Sequence, residues 1–261
     1  MAIARGFRWY QARVRPLILL TNDDGIHAPL LTGLADRLTA LGDVLVVAPE
    51  RPRSAASHAI TLHKPVRARE LSPGRWSLSG TPADCVYVGV LRLAPRPPTI
   101  VVSGPNDGFN LGSDVYYSGT VAGAVEGALR GLRAVALSMA PRATAVDTAL
   151  DAATGVVAAA LTALAPGDVV NVNLPGAGER RYAWTTLGKR RYRDDVNERH
   201  DPYGRPYYWI GGGVMGHDDV PGSDCNAVAD GLISVTPLRI DWNHPAQHAA
   251  PSFEIAGLER A

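Results

Sequence analysis

Asn22-Asp23-Asp24-Gly25 places two adjacent carboxylates directly behind the continuous apolar run Leu17–Thr21 (LILLT). Neighbouring acids at the end of a buried strand repel one another and lose hydration unless a cation sits between them. Oxygen ligands of this kind suit a hard divalent ion, Mg²⁺, Mn²⁺ or Ca²⁺. The same residues are good turn formers, and the acids could cap a following helix. The motif alone supports a metal site and a plain turn equally. A second segment, Pro49 to Ser57 (PERPRSAAS), adds the hydroxyls of Ser54 and Ser57 and arginines able to clamp phosphate. A third, Gly104 to Gly112 (GPNDGFNLG), is a glycine- and asparagine-rich turn suited to nesting an anion and to presenting an amide oxygen to a metal. It leads into Tyr117-Ser118-Gly119-Thr120, where free N–H groups at a helix start favour phosphate.

These segments matter because each follows an expected parallel strand. Apolar runs of strand length recur at Leu17–Thr21, Val44–Ala48, Ile100–Ser103, Ala134–Ser138 and Val169–Val172, with a further strand at Trp76–Ser79. Between them lie helical patterns at Pro29–Leu41, Thr81 to about Leu93, Gly119–Leu132 and Val146–Leu164. Thr81-Pro82-Ala83-Asp84 reads as an N-cap, a first-turn proline and an acidic third residue. Such alternation predicts an α/β fold with a mostly parallel sheet wrapped by helices, whose ligands bind at the carboxyl ends of the strands. The inventory of two carboxylates, a hydroxyl, an amide and a helix N-terminus suits phosphoryl transfer at one metal ion. From about Leu174 to Gly231 helical periodicity disappears, which predicts hairpins or arms before a return strand at Leu232–Pro237.

Composition excludes several other classes. The 261 residues are 46% apolar and 20% charged, ordinary globular values. Lys+Arg 26 against Asp+Glu 25 leaves a charge of +1, so neither duplex nucleic acid nor an anionic membrane is an expected partner. Cys85 and Cys225 make no disulfide scaffold. No apolar run approaches the roughly 18 residues that span a bilayer, and the chain reads as soluble and cytoplasmic. Met1 to Pro16, basic and without acids, is expected to be a loosely held extension.

On these residues the chain resembles the SurE family, the stationary-phase survival proteins that act as metal-dependent 5′/3′-nucleotidases. The matching segments are LLTNDDGIHAP (Leu19–Pro29), VVAPERPRSAAS (Val46–Ser57), SGTPADCVYVG (Ser79–Gly89) and VVSGPNDGFNLGSDVYYSGTVAGAVEG (Val101–Gly127). NVNLP (Asn171–Pro175), DPYGRPYYWIGG (Asp201–Gly212), GSDCNAVADG (Gly222–Gly231) and SVTPL (Ser234–Leu238) follow in family order. The resemblance implies a Rossmann-like core, here spanning 17–175, and a β-hairpin arm for oligomerisation, here within 176–230. Residues 231–261 then form the return strand and tail. It also implies a homo-oligomer, dimer or tetramer, and one divalent metal ion per subunit, Mg²⁺ or Mn²⁺, held by Asp23, Asp24, Ser54 and Asn106. Family members commonly carry Gly at the positions of Leu30 and Ala55, Asp at that of Glu50 and Ile at that of Pro105. None of these departures removes an implied ligand.

The expected activity is therefore hydrolysis of nucleoside monophosphates. Asn110, Ser118, Gly119 and Thr120 would hold phosphate oxygens, and Asp23 or Asp24 would orient the attacking water. A receiver-like signalling module also has an acid pair after its first strand. It needs a lysine near its last strand, however, and Lys64 and Lys189 do not fit. A dinucleotide oxidoreductase fails because Gly211 to Gly216, which formally matches GxGxxG, has no helix pattern behind it. His27 and His217-Asp218-Asp219 read as loop and turn residues, Cys85 as core, and Tyr207-Tyr208-Trp209 as arm residues that pack between subunits.

Overall fold

The computed structural model describes residues 15–240, apart from Arg142, Glu179, Asp194 and Gly212. Nearly all of the N-terminal extension and the tail beyond residue 240 lie outside the described residues. The chain runs β1 (Leu17–Thr21), α1 (Pro29–Leu38), β2 (Asp43–Pro49), β3 (Ala68–Ser72), β4 (Arg75–Leu78), α2 (Pro82–Val88), β5 (Ile100–Asp107) and α3 (Gly119–Leu129). It continues through β6 (Arg133–Met139), α4 (Val146–Ala163), β7 (Val169–Leu174), β8 (Tyr182–Trp184) and β9 (Arg190–Tyr192). Then come β10 (Asp195–His200), β11 (Pro206–Gly211), β12 (Val214–His217), α5 (Asp224–Ala229) and β13 (Ile233–Leu238).

Among the described residues nine strands form one sheet, ordered β3-β4-β2-β1-β5-β6-β7-β13-β8. Pairing is parallel from β4 through β7, as the strand–helix alternation predicts. The outer strands β3 and β13 run antiparallel to β4 and β7. The apolar run of β1 is continuous because both of its faces are covered. Ile18 and Leu20 pack with Leu31, Leu34 and Leu38 of α1 and Leu150 of α4, whereas Leu19 packs with Cys85 and Val86 of α2. From β1 the chain moves outward to β2 and β4, then returns through α2 to β5 on the other side of β1. That reversal opens a crevice at the carboxyl ends of β1 and β5.

Local signals explain most element ends. Thr81 caps α2 by accepting from the N–H of Asp84, whose carboxylate accepts from the N–H of Thr81 at 2.9 Å. Helix α1 stops at Leu38, before the expected Leu41, with Thr39 as its C-cap.

Three expectations need correction. Strand β5 does not end at Ser103 but runs on to Asp107, its register with β6 shifting between Ser103 and Asn106, so Asn106 lies on a strand and not in a turn. Gly104 makes that passage possible: its φ is +119° and a Cβ there would stand 2.2 Å from the Leu137 carbonyl oxygen. Secondly, α4 is 18 residues long and apolar enough, by length and composition, to cross a membrane. Its Leu150, Ala153 and Val157 are instead buried against the sheet. Thirdly, the stretch 176–230 is not all arm. β8 joins the sheet edge beside β13, and α5 contacts β13. What leaves the sheet is a pair of two-stranded ribbons, β9–β12 and β10–β11.

Candidate active site

Three strand ends and one helix start converge on the crevice. Asn22, fully buried after β1, closes the turn by accepting from the Gly25 N–H and donating to the Gly25 carbonyl, each at 3.1 Å. This turn presents Asp23 and Asp24 to the cavity. The N–H of Arg53 donates to the Asp23 carbonyl at 2.7 Å, which ties the segment behind β2 to the acid pair. Ser54 is exposed there. Its neighbour Ala55 has φ +55°, a left-handed conformation that costs a non-glycine residue about 1–2 kcal/mol. Glycine there would not incur that cost. Asn106, near the end of β5, donates its amide to the Gly108 carbonyl at 2.8 Å, leaving its amide oxygen for another partner.

Asp23, Asp24, Ser54, Asn106, Asn110 and Ser118 line one cavity of about 640 Å³. Gly119 and Thr120 sit behind it. A Cβ on Gly119 would meet that of Asp23 at 3.1 Å, so glycine lets helix α3 approach the acid closely. The Thr120 hydroxyl, fully buried, donates to Asp23 Oδ1 at 2.5 Å. Thr120, expected on the phosphate, thus reaches the site through Asp23. Ser118 is the N-cap of α3, accepting from the Val121 N–H at 3.1 Å.

Electrostatics mark the acid pair as strained. Burial raises the Asp23 carboxyl to about 6, opposed by the Thr120 hydrogen bond and reinforced by the charge of Asp24. Burial also raises Asp24, against the hydrogen bond it accepts from the Asp107 N–H at 3.1 Å. A cation between the two would relieve both. Two carboxylates, an amide oxygen and a hydroxyl around one cavity fit a hard divalent ion. Among the described residues no group of three or more His, Cys, Asp or Glu converges, here or elsewhere. An ion at this site would therefore draw on the neutral oxygens of Ser54 and Asn106 beside the two acids.

Other expectations sort themselves by position. His27 is exposed and faces a separate cleft with Glu50, Arg67 and Arg69. Asp219 accepts from Asn226, and Asp218 lies 3.5 Å from Arg191, so that pair serves the local turn. Cys85 is core, and Tyr207 to Trp209 lie on the exposed strand β11.

Sequence reading missed the residues that hold Asn110. Its N–H donates to Asn173, its amide donates to Ser138 at 2.7 Å, and its carbonyl accepts from Asn171 and Asn173. The available signal was two asparagines at alternate positions of the otherwise apolar β7, which puts both on one face. Asp114, Arg190 and Tyr192 also line the cavity. They come from a 3-10 turn after β5 and from β9, about 76 positions apart in the chain, and no local pattern links them.

A doubly wound α/β protein with an acid pair at its switch point and a helix N-terminus beside it is the class that this fold and site define. The family described as Survival protein SurE matches residues 18–194, and the chain belongs to the SurE family. A 5′-nucleotidase SurE of Syntrophotalea carbinolica is 48% identical over 233 residues, 86% of this chain and 92% of that relative. A second, from an Anaeromyxobacter species, is 47% identical over 251 residues, covering 93% of this chain and 98% of its own. Among solved structures the SurE protein from Aquifex aeolicus superposes with a TM-score of 0.77 at 38% identity, covering 87% of this chain and 95% of that one.

Proposed function

We propose that this chain is a cytoplasmic, metal-dependent phosphohydrolase acting on nucleoside 5′-monophosphates, with 3′-monophosphates as further substrates of the same site. One observation carries the reading: Asp23, Asp24, Ser54 and Asn106 line a single cavity with the N-cap of α3. The names of the relatives support the substrate class. One Mg²⁺ or Mn²⁺ per subunit would be held by Asp23, Asp24, Ser54 and Asn106. When bound, it supplies Lewis-acid stabilisation of charge on the phosphoryl oxygens.

The protein's own groups do the rest. Asn110, rigidly held by Asn171, Asn173 and Ser138, offers its second amide proton to a phosphate oxygen. Ser118 and the Gly119 N–H offer further donors at the start of α3, where the helix dipole favours an anion. Thr120 holds Asp23 Oδ1, so Oδ2 of Asp23, or the Asp24 carboxylate, would take the proton of the attacking water. The first strand lacks the DxDx(T/V) arrangement of aspartate-nucleophile phosphatases, which favours direct attack by water over an aspartyl-phosphate. We assign a homo-oligomer, dimer or tetramer, as the working form, with neither duplex nucleic acid nor a membrane as partner.

Phosphate release from AMP and GMP tests this directly. Turnover is expected with Mg²⁺ or Mn²⁺, loss in EDTA, and recovery on adding metal back. Turnover indifferent to EDTA, or none at all, would sink the reading. A receiver-like module and an oxidoreductase both predict none.

A further inference from the structure

The cavity around the acid pair is larger than a phosphate group requires, and the remainder has a different chemistry. Its volume of about 640 Å³ is in the range of sites for small organic ligands. Tyr117, Tyr192, Asp114 and Arg190 line it as well, on segments that carry none of the proposed metal ligands. One carboxylate oxygen of Asp114 accepts from the Arg190 guanidinium and the other from the Tyr192 hydroxyl. The Asp114 and Arg190 side chains are 14% and 16% exposed, so the arginine's charge is offset within the wall and is not a free phosphate clamp. Its guanidinium carbon lies 5.4 Å from the Tyr192 ring centroid, which further fixes the ring.

The wall is anchored from below. Asp224 of α5, fully buried, accepts from the N–H of Gly112 and from that of Gly188, each at 2.8 Å. It therefore fastens the 3-10 turn that carries Asp114 to the segment that leads into β9. The Tyr192 ring, held beside a paired carboxylate, with the exposed Tyr117 ring lining the same cavity, matches a nucleoside. A base presents π faces that stack on aromatic side chains, and a carboxylate accepts from ribose hydroxyls.

We propose that Tyr117, Tyr192 and the Asp114–Arg190 pair form the nucleoside subsite of this cavity, so that the base of the arm sets the preference for nucleotides over other phosphate monoesters. This rests on the phosphohydrolase reading above and adds the part of the site that tells one monoester from another.

The test compares kcat and KM for AMP with those for ribose 5-phosphate, which shares phosphate and sugar but lacks the base. In Tyr192→Ala the ratio of kcat/KM for AMP to that for ribose 5-phosphate falls about tenfold, through KM for AMP, as expected for the loss of one stacking ring. Tyr117→Ala moves the ratio in the same direction, and Tyr192→Phe, which keeps the ring, retains most of it. Ribose 5-phosphate turnover in the same preparations reports that the variants are folded. An unchanged ratio, or parallel losses on both substrates in both alanine variants, overturns the subsite. Wild-type protein that releases phosphate from neither compound overturns the phosphohydrolase reading as well.

Discussion

The sheet around β1 and the ribbon β10–β11 treat apolar residues in opposite ways. Every residue of β1 is buried, its alternate side chains covered by helices of the same chain. Every residue of β10 and β11 is exposed, although β11 reads PYYWIG. Tyr207, Tyr208, Trp209 and Ile210 follow one another, so both faces of the ribbon carry large apolar groups. A lone two-stranded ribbon is marginal in water, and exposed aromatic surface of this kind marks an interface. The core is stabilised by its own chain. The ribbon's exposed aromatics are what a covering surface would bury, which is the basis of the oligomer proposed above.

The largest expected effect belongs to the core's crevice. Asp23→Asn and Asp24→Asn each remove a proposed ligand charge while keeping side-chain shape. Turnover of AMP falls by about a thousandfold or more, several kcal/mol of lost transition-state stabilisation. The metal-free Asp23→Asn protein melts higher than wild type, because a buried carboxylate beside Asp24 is gone. Mn²⁺ raises the melting temperature of wild type but not of the variant. Near-normal turnover with a normal metal response would dissolve the site.

A backbone test comes next in size. Gly104→Ala forces a Cβ against the Leu137 carbonyl at a φ of +119°, so unfolding free energy drops by about 3 kcal/mol or more. Chemical denaturation measures it. Tolerance of alanine there would mean that β5 reaches Asn106 by another path.

These two tests also trace how far the chain could be read in advance. Strand β1, the capped α2 and the long α3 and α4 were legible because each states its structure locally, by apolar runs, a capping box or spacing. Strand β3 (ARELS) is wholly exposed and has no pattern to read. Helix α5 is six residues long, too short for periodicity, although Ser223 caps it. Asp23 and Asp24 stand out by sequence, whereas Ser54 and Ser57 both follow the second strand and only the family resemblance chooses Ser54. Asn106, a ligand implied by the resemblance, reads as a turn residue, because the continuation of β5 depends on pairing with β6. Asn171, Asn173, Asp114 and Arg190 act through bonds spanning about 61 to 76 positions, and only tertiary structure brings such residues together.

Removing the ribbon separates assembly from folding. Replacing residues 195–211 by a short Gly-Ser turn leaves the thermal unfolding of the core nearly unchanged, since no core cluster includes a residue from that stretch. Sedimentation velocity at micromolar concentration then shows smaller species than the intact chain gives. A wild-type chain that already sediments as a clean 27.7 kDa species would remove the contrast between the regions.

The smallest effect sharpens the comparison most, because it uses one residue type in both places. Ile18 is fully buried, and Ile210 is 91% exposed. Ile18→Ala removes packed methyl groups from between α1 and α4, for a loss of about 2–5 kcal/mol. Ile210→Ala removes nothing that the chain itself covers. Its unfolding free energy, measured at low protein concentration where subunits separate, stays within about 0.5 kcal/mol of wild type. The same substitution weakens association at higher concentration, since the side chain that a partner would cover is shortened. If Ile210→Ala instead destabilises the dissociated chain as Ile18→Ala does, the ribbon folds back onto its own core as a lid, and the exposed aromatics of β11 need no partner.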